Sequence, residues 1–474
     1  MMRNVICSLA AISTFVAPSL AKADSPVQKP NILVFIADDL GWEEIGAYGH
    51  PVIKTPNIDW LAQNGIRFDN FYLAASSSSP SRCSILTGMY PSCTGAANLH
   101  ENMPEHINLF PDRLHDAGYY TMLVGKTHGT NHPKVKARFD YGKFIDWSKP
   151  WTMVDLWKEA LIQRPKDQPF FMFAASIDPH RPYKQGHFEH PYHPDQVVVP
   201  PYLQDSPEMR EELADYYDEI GRFDDHIGQV LNLLREEGTL ENTLIIVMTD
   251  NGRPFPQCKT RVNVQGLKSP FIVYCPSLIK RGSVTKSLAS AVDIAPTLLE
   301  VAGVKRSPGL QGISLLPILG NPSAEIRKYA FAEHNWHVFR AYERSVITEN
   351  YVYIKNWLPH LPNPSVGETM RMPAYKKMLD SYLKGELPQV QQDCFIAPRP
   401  AEELYKIPDD IHCVNNLIGE KEKKAIVEEM RLVLDVWQQS IGDSYPGEKK
   451  LKGDTSDRRT GEKLKKENTA DVAD

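Results

Sequence analysis

Two pairs of oxygen-bearing side chains, Asp38-Asp39 and Asp250-Asn251, each follow a continuous apolar run, Asn31 to Ala37 and Thr243 to Met248. Runs of this kind read as strands buried on both faces of a parallel sheet. The C-terminal ends of such strands are where open α/β sheets place their sites. Hard oxygen donors select Ca²⁺ or Mg²⁺ over softer metals. A lone acidic pair is more often a helix cap or a solvated turn, but two pairs at strand ends of one sheet reverse that balance.

Between them in sequence lies Ser78-Ser79-Pro80-Ser81-Arg82-Cys83-Ser84-Ile85-Leu86-Thr87-Gly88. Ser79 can cap and Pro80 can begin a helix, which puts Ser78 just before a helix N-terminus, where unpaired N–H groups and the helix dipole favour an anion. Arg82, one turn further in, can turn back toward the same anion. Ser-rich stretches are usually flexible loops, and the segment by itself leaves that reading open. Two further clusters carry a cation or an imidazole. Gly125-Lys126-Thr127-His128 is one, and Asp178-Pro179-His180-Arg181-Pro182-Tyr183, after the apolar run Phe170 to Ala175, is the other. Single histidines are more often structural than catalytic, so both gain weight only from their neighbours.

The Ser78 segment resembles the signature of the type I, formylglycine-dependent sulfatases of the alkaline phosphatase superfamily: Cys or Ser, any residue, Pro-Ser-Arg, three residues, then Leu-Thr-Gly. The match is complete. The resemblance implies that Ser78 is oxidised to formylglycine by a maturase able to act on serine. It also implies that Asp38, Asp39, Asp250 and Asn251, with position 78 itself, ligate a divalent cation, usually Ca²⁺, with Mg²⁺ the alternative. Lys126 would contact formylglycine and sulfate, Arg82 would help offset sulfate charge, His128 would handle a formylglycine hydroxyl proton, and His180 would sit near the leaving group. Lys259, eight residues after Asn251, is the choice for the second sulfate-binding cation, with Lys268 the runner-up. The Glu-Gly-Gly and Arg-Val-Pro pattern common among sulfatases is absent here. Instead Asp250-Asn-Gly-Arg-Pro-Phe-Pro256, Phe35-Ile-Ala-Asp-Asp-Leu-Gly41 and Gly46-Ala47-Tyr48 are similar to the heparan N-sulfatase (N-sulfoglucosamine sulfohydrolase) branch. The resemblance carries over the fold and the reaction but not the sugar. For saccharide binding the candidates are His334 and His337, which packing roles would explain equally well.

Apolar runs alternate with helical patterns over Asn57 to Asn64, Leu109 to Ala117 and Pro207 to Glu237, the last closed by Gly238. The expectation is an α/β fold: a large, mostly parallel mixed sheet sandwiched by helices, alkaline-phosphatase-like, with a smaller C-terminal α+β domain. After about residue 330 the texture changes to short β-rich pieces, such as Arg344 to Thr348 and Tyr351 to Lys355, and one amphipathic helix from about Glu420 to Ser440. The expected division is 1–23 signal peptide, 24–330 catalytic domain, 331–446 small domain and 447–474 a charged, disordered tail.

Met1-Met2-Arg3, an apolar stretch to about Leu20 and Ala21-Lys22-Ala23 have the charge, length and small-x-small ending of a cleavable signal peptide, which predicts a periplasmic or secreted protein without a transmembrane anchor. The net charge of -6 over 474 residues, with both signs interspersed, excludes the basic field that nucleic acid requires. The expected partners are a sulfated oligo- or polysaccharide and the maturase. Cys394 and Cys413 are near enough in sequence for a disulfide, with unpaired buried thiols an equal alternative. A phosphatase or phosphonate hydrolase of the same superfamily would share the metal-binding strands without requiring the complete signature, and an inactive binding homologue would keep Ser78 unmodified.

Overall fold

The computed structural model describes residues 29–130 and 132–464, so the signal-peptide expectation lies outside the described residues. The large sheet is built from β1 (Asn31–Ala37), β2 (Ile66–Phe68), β4 (Tyr120–Gly125), β5 (Tyr141–Phe144), β6 (Phe170–Ala175), β7 (Thr243–Thr249), β8 (Phe271–Tyr274) and β9 (Ser283–Thr285). Its spatial order is β5-β4-β6-β1-β7-β8-β2-β9. Every neighbouring pair is parallel except those made by β8, which runs against β7 and β2. A short pair, β3 (Phe71–Tyr72) with β10 (Ala289–Ser290), lies apart from it.

The central strands are apolar on both faces because both are covered. Ile32, Val34 and Ile36 of β1 enter one core, whereas Leu33, Phe35 and Ala37 enter the other. That two-sided burial is why β1, β6 and β7 read as unbroken apolar runs rather than as alternation. The helices that matter for the site are α1 (Ser78–Thr87), α2 (Pro207–Glu236), the short α3 (Gly367–Met370) and α4 (Lys424–Ile441).

A second sheet, β11 (Ala330–Trp336), β12 (Arg340–Ile347), β13 (Tyr351–Asn356) and β14 (Glu402–Lys406), is antiparallel throughout, and α4 packs Val427, Met430, Leu434 and Trp437 toward it. It is tied to the first unit beside the Ser78 segment. Glu333 N–H donates to Ala74 O at 3.0 Å, and the Glu333 carboxylate accepts from Ser92 Oγ at 2.9 Å. A buried ion-pair network reinforces the junction: Arg261 meets Glu343 at 3.2 Å and Glu403 at 3.0 Å, and Arg399 also reaches Glu343.

One sequence expectation changes and one open alternative is decided. Residues 447–464, read as part of a disordered tail, run along the small sheet. Gly453 O accepts from Trp336 Nε1 at 2.9 Å, the Asp454 carboxylate from Arg340 N–H at 2.7 Å, and Val338 O from Thr455 N–H at 2.9 Å. Polar composition lowers the apolar burial available to a segment but not its capacity to bond a neighbouring backbone. Cys394 and Cys413 are free, buried thiols in separate clusters, Cys394 beside Tyr375 and Met370 and Cys413 in the main core. Among the described residues no helix is long and apolar enough to cross a membrane.

Candidate active site

The register of the large sheet gathers the candidate residues. Ala37 pairs with Thr249, Ile36 with Ala175, and Ala175 with Gly125, so β1, β7, β6 and β4 end in one row. The next residues of three of them, Asp38, Asp250 and Lys126, therefore emerge side by side. The chain after the row is stitched by backbone bonds: Lys126 N–H to Ala175 O at 2.9 Å and Asp38 N–H to Asp178 O at 2.9 Å. Gly125 makes the approach possible. Its φ is +109°, and a Cβ there would lie 1.9 Å from Ala175 O, a conformation and a distance no side-chain-bearing residue tolerates. Asp39 itself sits at φ 73°, an uncommon setting for a non-glycine residue and one that marks functional turns.

Helix α1 brings Ser78 to the row. Ser77 takes the N-cap position and Ser78 the first helical one, two residues earlier than the sequence expectation of a Ser79 cap and a Pro80 start. Ser78 Oγ lies 3.0 Å from Asn251 Oδ1 and 3.3 Å from Asp38 Oδ1, donating toward both. Arg82, one turn later, donates from Nε to Asp250 Oδ2 at 2.7 Å, while its Nη1 is buried without a partner. Asn251 Nδ2 donates to Asp39 Oδ1 at 2.6 Å, and Asp39 N–H to Asp250 Oδ1 at 3.2 Å. Lys126 Nζ bonds Asp38 Oδ2 and lies 3.9 Å from Asp250 Oδ2. Lys259 Nζ bonds Asp39 Oδ2 at 2.8 Å. All eight of these residues are buried.

Three carboxylates thus face three cations in a buried pocket. Burial pushes the Lys126 ammonium below its ordinary range, against the pull of Asp38 and Asp250. For Lys259 burial acts in the same sense but Asp39 and Glu368 outweigh it, so its value rises. Lys268, the alternative, lies 4.0 Å over the Trp42 ring and takes no part in the cluster. The donor set Asp38, Asp39, Asp250, Asn251 Oδ1 and Ser78 Oγ is all oxygen and rich in carboxylate, which fits a hard divalent cation. His180 stands beside it, with Nε2 at 3.7 Å from Asp39 Oδ2, and a three-residue metal-capable group of Asp38, Asp39 and His180 results.

His180 is held from behind. Its Nδ1–H donates to Arg181 O, and Asp178 at the start of the same loop is locked by Arg222 of α2 at 2.7 Å. A carbonyl only accepts, so Nδ1 carries the proton of that bond and Nε2 is the atom turned toward Asp39 and Glu368. His128 lies with its ring centroid 4.8 Å from that of His100, and its Nδ1 is buried without a partner. Burial first, then the Lys126 charge, hold its imidazole well below the ordinary value, which keeps it neutral, with a lone pair on one ring nitrogen.

Of the two saccharide candidates, His337 reaches the site. Its Nδ1 is 2.9 Å from Ser77 Oγ, and it lines an open cleft of about 550 Å³ together with His100, Glu368, Arg371 and residues 454–456. His334 is turned into the junction core near Glu343, Arg399 and Arg261, where burial first lowers its pKa to about 4. It packs rather than lining that cleft.

Sequence reasoning missed Glu368 and Trp147. Glu368 Oε1 is 3.4 Å from both His180 Nε2 and Lys259 Nζ. Burial would raise its pKa, but His180 and Lys259 outweigh burial and hold it well below the carboxylate range. Trp147 lies against Lys126, His128 and His180. Neither belongs to a motif: Glu368 lies on the short helix α3 and Trp147 on an irregular segment after β5, and only the tertiary fold decides their placement.

Residues 30–304 match the family model described as Sulfatase, and residues 259–360 match that described as N-sulphoglucosamine sulphohydrolase, C-terminal. The chain is 30% identical over 460 residues to N-sulphoglucosamine sulphohydrolase of Homo sapiens, covering 88% of this chain and 91% of the relative. It is 28% identical over 472 residues to an ulvan-active sulfatase of Formosa agariphila, covering 88% and 76%. A solved structure described as in complex with its substrate D-glucosamine-2-N,6-O-disulfate superposes with a TM-score of 0.67 at 22% identity, covering 89% of this chain and 100% of that one. A 2-O glycosaminoglycan sulfatase gives 0.69 at 20% identity, covering 90% and 95%.

Proposed function

From the chain's membership of the sulfatase family, which makes it a sulfuric ester or sulfamate hydrolase, we propose that it is an exported carbohydrate sulfatase acting through Ser78 oxidised to formylglycine. The observation that carries this reading is the setting of Ser78: a hydroxyl at a helix N-terminus, 3.0 Å from Asn251 and 3.3 Å from Asp38, ringed by Lys126, Lys259 and Arg82. The names of the human and Formosa relatives and the disulfated glucosamine of the structural neighbour support a sulfated saccharide as the substrate class.

Asp38, Asp39, Asp250 and Asn251 would hold a calcium or magnesium ion, which supplies Lewis-acid polarisation of the nucleophile and of a sulfate oxygen. A formylglycine hydrate offers two hydroxyls, one to attack sulfur and one whose deprotonation expels sulfate, an exit a plain serine sulfate ester lacks. This chain's side chains do the rest. Lys126, Lys259 and the free Nη1 of Arg82 offset charge that grows on the sulfate oxygens, in a site with little water to screen them. His180 delivers a proton from Nε2 to the departing oxygen or nitrogen, while Arg181 O fixes its ring. His128, neutral and half-buried, takes the proton of the second hydroxyl. The serine-modifying maturase and export through the N-terminal signal complete the reading.

Ser78→Ala tests it. Sulfate release from a sulfated saccharide falls to background with the melting temperature unchanged, and substantial residual turnover by a folded variant would overturn the assignment.

A further inference from the structure

The segment between β5 and β6 contributes one side chain whose position no motif explains. Trp147 is the only exposed tryptophan of the eight in the chain, with 43% of its surface open to solvent. Isolated exposed apolar residues are ordinary, but this one is not isolated from the chemistry. Its ring lies 5.5 Å from Lys126 Nζ, and its centroid is 5.5 Å from that of His180 and 6.3 Å from that of His128. One indole therefore touches three of the residues assigned to sulfate handling and proton transfer, while nearly half of it faces outward. His180 is edge-on to the indole, at 80°, and also meets Glu368, at 3.4 Å from Nε2. Glu368 in turn borders the 550 Å³ cleft with 30% of its side chain exposed.

We propose that Trp147 is the stacking platform for the sugar that leaves the sulfate, and that Glu368 accepts hydroxyl or amino hydrogens of the same ring. The chemistry fits a pyranose. Its axial C–H face is apolar and weakly positive and suits the negative face of an indole, whereas its rim of hydroxyls suits a carboxylate. A sugar seated this way presents its bridging oxygen or nitrogen to His180, which both residues touch. Trp147 is thus a positioning residue that binds substrate through its ring and aligns it with the acid. The inference rests on the saccharide sulfatase reading and adds the subsite for the leaving group.

The test is direct binding to the Ser78→Ala protein, which cannot turn over, followed calorimetrically with sulfated oligosaccharides from heparin and from ulvan. Adding Trp147→Ala weakens binding about tenfold or more, and Trp147→Phe restores most of it, as loss and partial return of an aromatic face require. In the otherwise native enzyme Trp147→Phe raises KM more than it lowers kcat. Binding equal in Ser78→Ala and in the Trp147→Ala double variant would refute the platform while leaving the saccharide reading intact. No binding of either saccharide to Ser78→Ala would instead strike the saccharide reading itself. If Trp147→Ala fails to fold, the Phe and Leu variants decide: Phe near native with Leu about tenfold weaker supports stacking, and equal binding overturns it.

Discussion

Replacing Lys126 by Met keeps the volume and apolar stem of the side chain and removes its charge. Lys126 is 2% exposed and its ammonium serves Asp38 directly, with Asp250 3.9 Å away. In the native pocket Asp38, Asp39 and Asp250 face Arg82, Lys126 and Lys259, three negative charges against three positive; the variant leaves three against two. Two effects follow. The lost preorganised cation costs ~100–1000-fold in kcat, the size found for single oxyanion-stabilising groups in dry sites. The unpaired Asp38 also destabilises the metal-free protein, by ~3–5 kcal/mol if it stays buried and charged. Initial rates of sulfate release at saturating calcium read the first effect, and calorimetric melting with chelator and with calcium reads the second. Calcium raises the melting temperature of Lys126→Met more than that of the native protein, because the ion replaces the missing charge. A loss of activity below tenfold would take Lys126 out of the transition state, and an equal calcium response in the two proteins would take Asp38 out of the ion site.

Three further outcomes follow from the same geometry. His128→Ala is expected to trap the sulfated enzyme, seen by intact-mass spectrometry as a gain of ~80 mass units that persists after substrate is removed; rapid return to the unmodified mass would show that His128 is dispensable for sulfate release. Lys259→Ala should lower kcat/KM by ~100-fold, whereas Lys268→Ala leaves it within about threefold for the folded fraction; the opposite ranking would exchange the two lysines. At the junction, burial would raise Glu343, but Arg399 and Arg261 outweigh it and hold its carboxyl near about 2, against 4.5 unfolded. A depressed carboxylate stabilises above pH 4.5 and loses that contribution as pH falls toward 2, so native stability drops by ~3 kcal/mol across the window. Denaturant titrations of Glu343→Gln should lack that part of the slope, and an unchanged slope would contradict the ion-pair account.

Much of the site was legible because it is built at strand ends. Asp38, Asp250 and Lys126 each follow an apolar run or a glycine that ends one, and parallel pairing in register brings such ends together without help from distant sequence. Lys259 was within reach for a related reason: it lies on the loop after β7, and only a short span separates it from Asn251. Glu368 and Trp147 were not legible. They arrive from the small domain and from a connecting segment, and nothing in their local spacing announces the contact. His334 and His337 illustrate the limit from the other side. They sit three residues apart, an odd spacing that on an extended chain already turns side chains to opposite faces; His334 enters the junction core and His337 reaches the cleft. Residues 447–464 of the charged C-terminal segment depart from the expectation because they are held by backbone and side-chain hydrogen bonds to Trp336, Val338 and Arg340, which composition does not register.

The account turns on the covalent state of Ser78. Mass spectrometry of the tryptic peptide ending at Arg82, from protein co-expressed with a serine-type maturase, is predicted to show a loss of about two mass units, the two hydrogens removed when an alcohol becomes the aldehyde that covalent catalysis requires. An intact serine in protein from the native host would contradict the account and leave an inactive saccharide-binding homologue or a phosphatase as the reading to test.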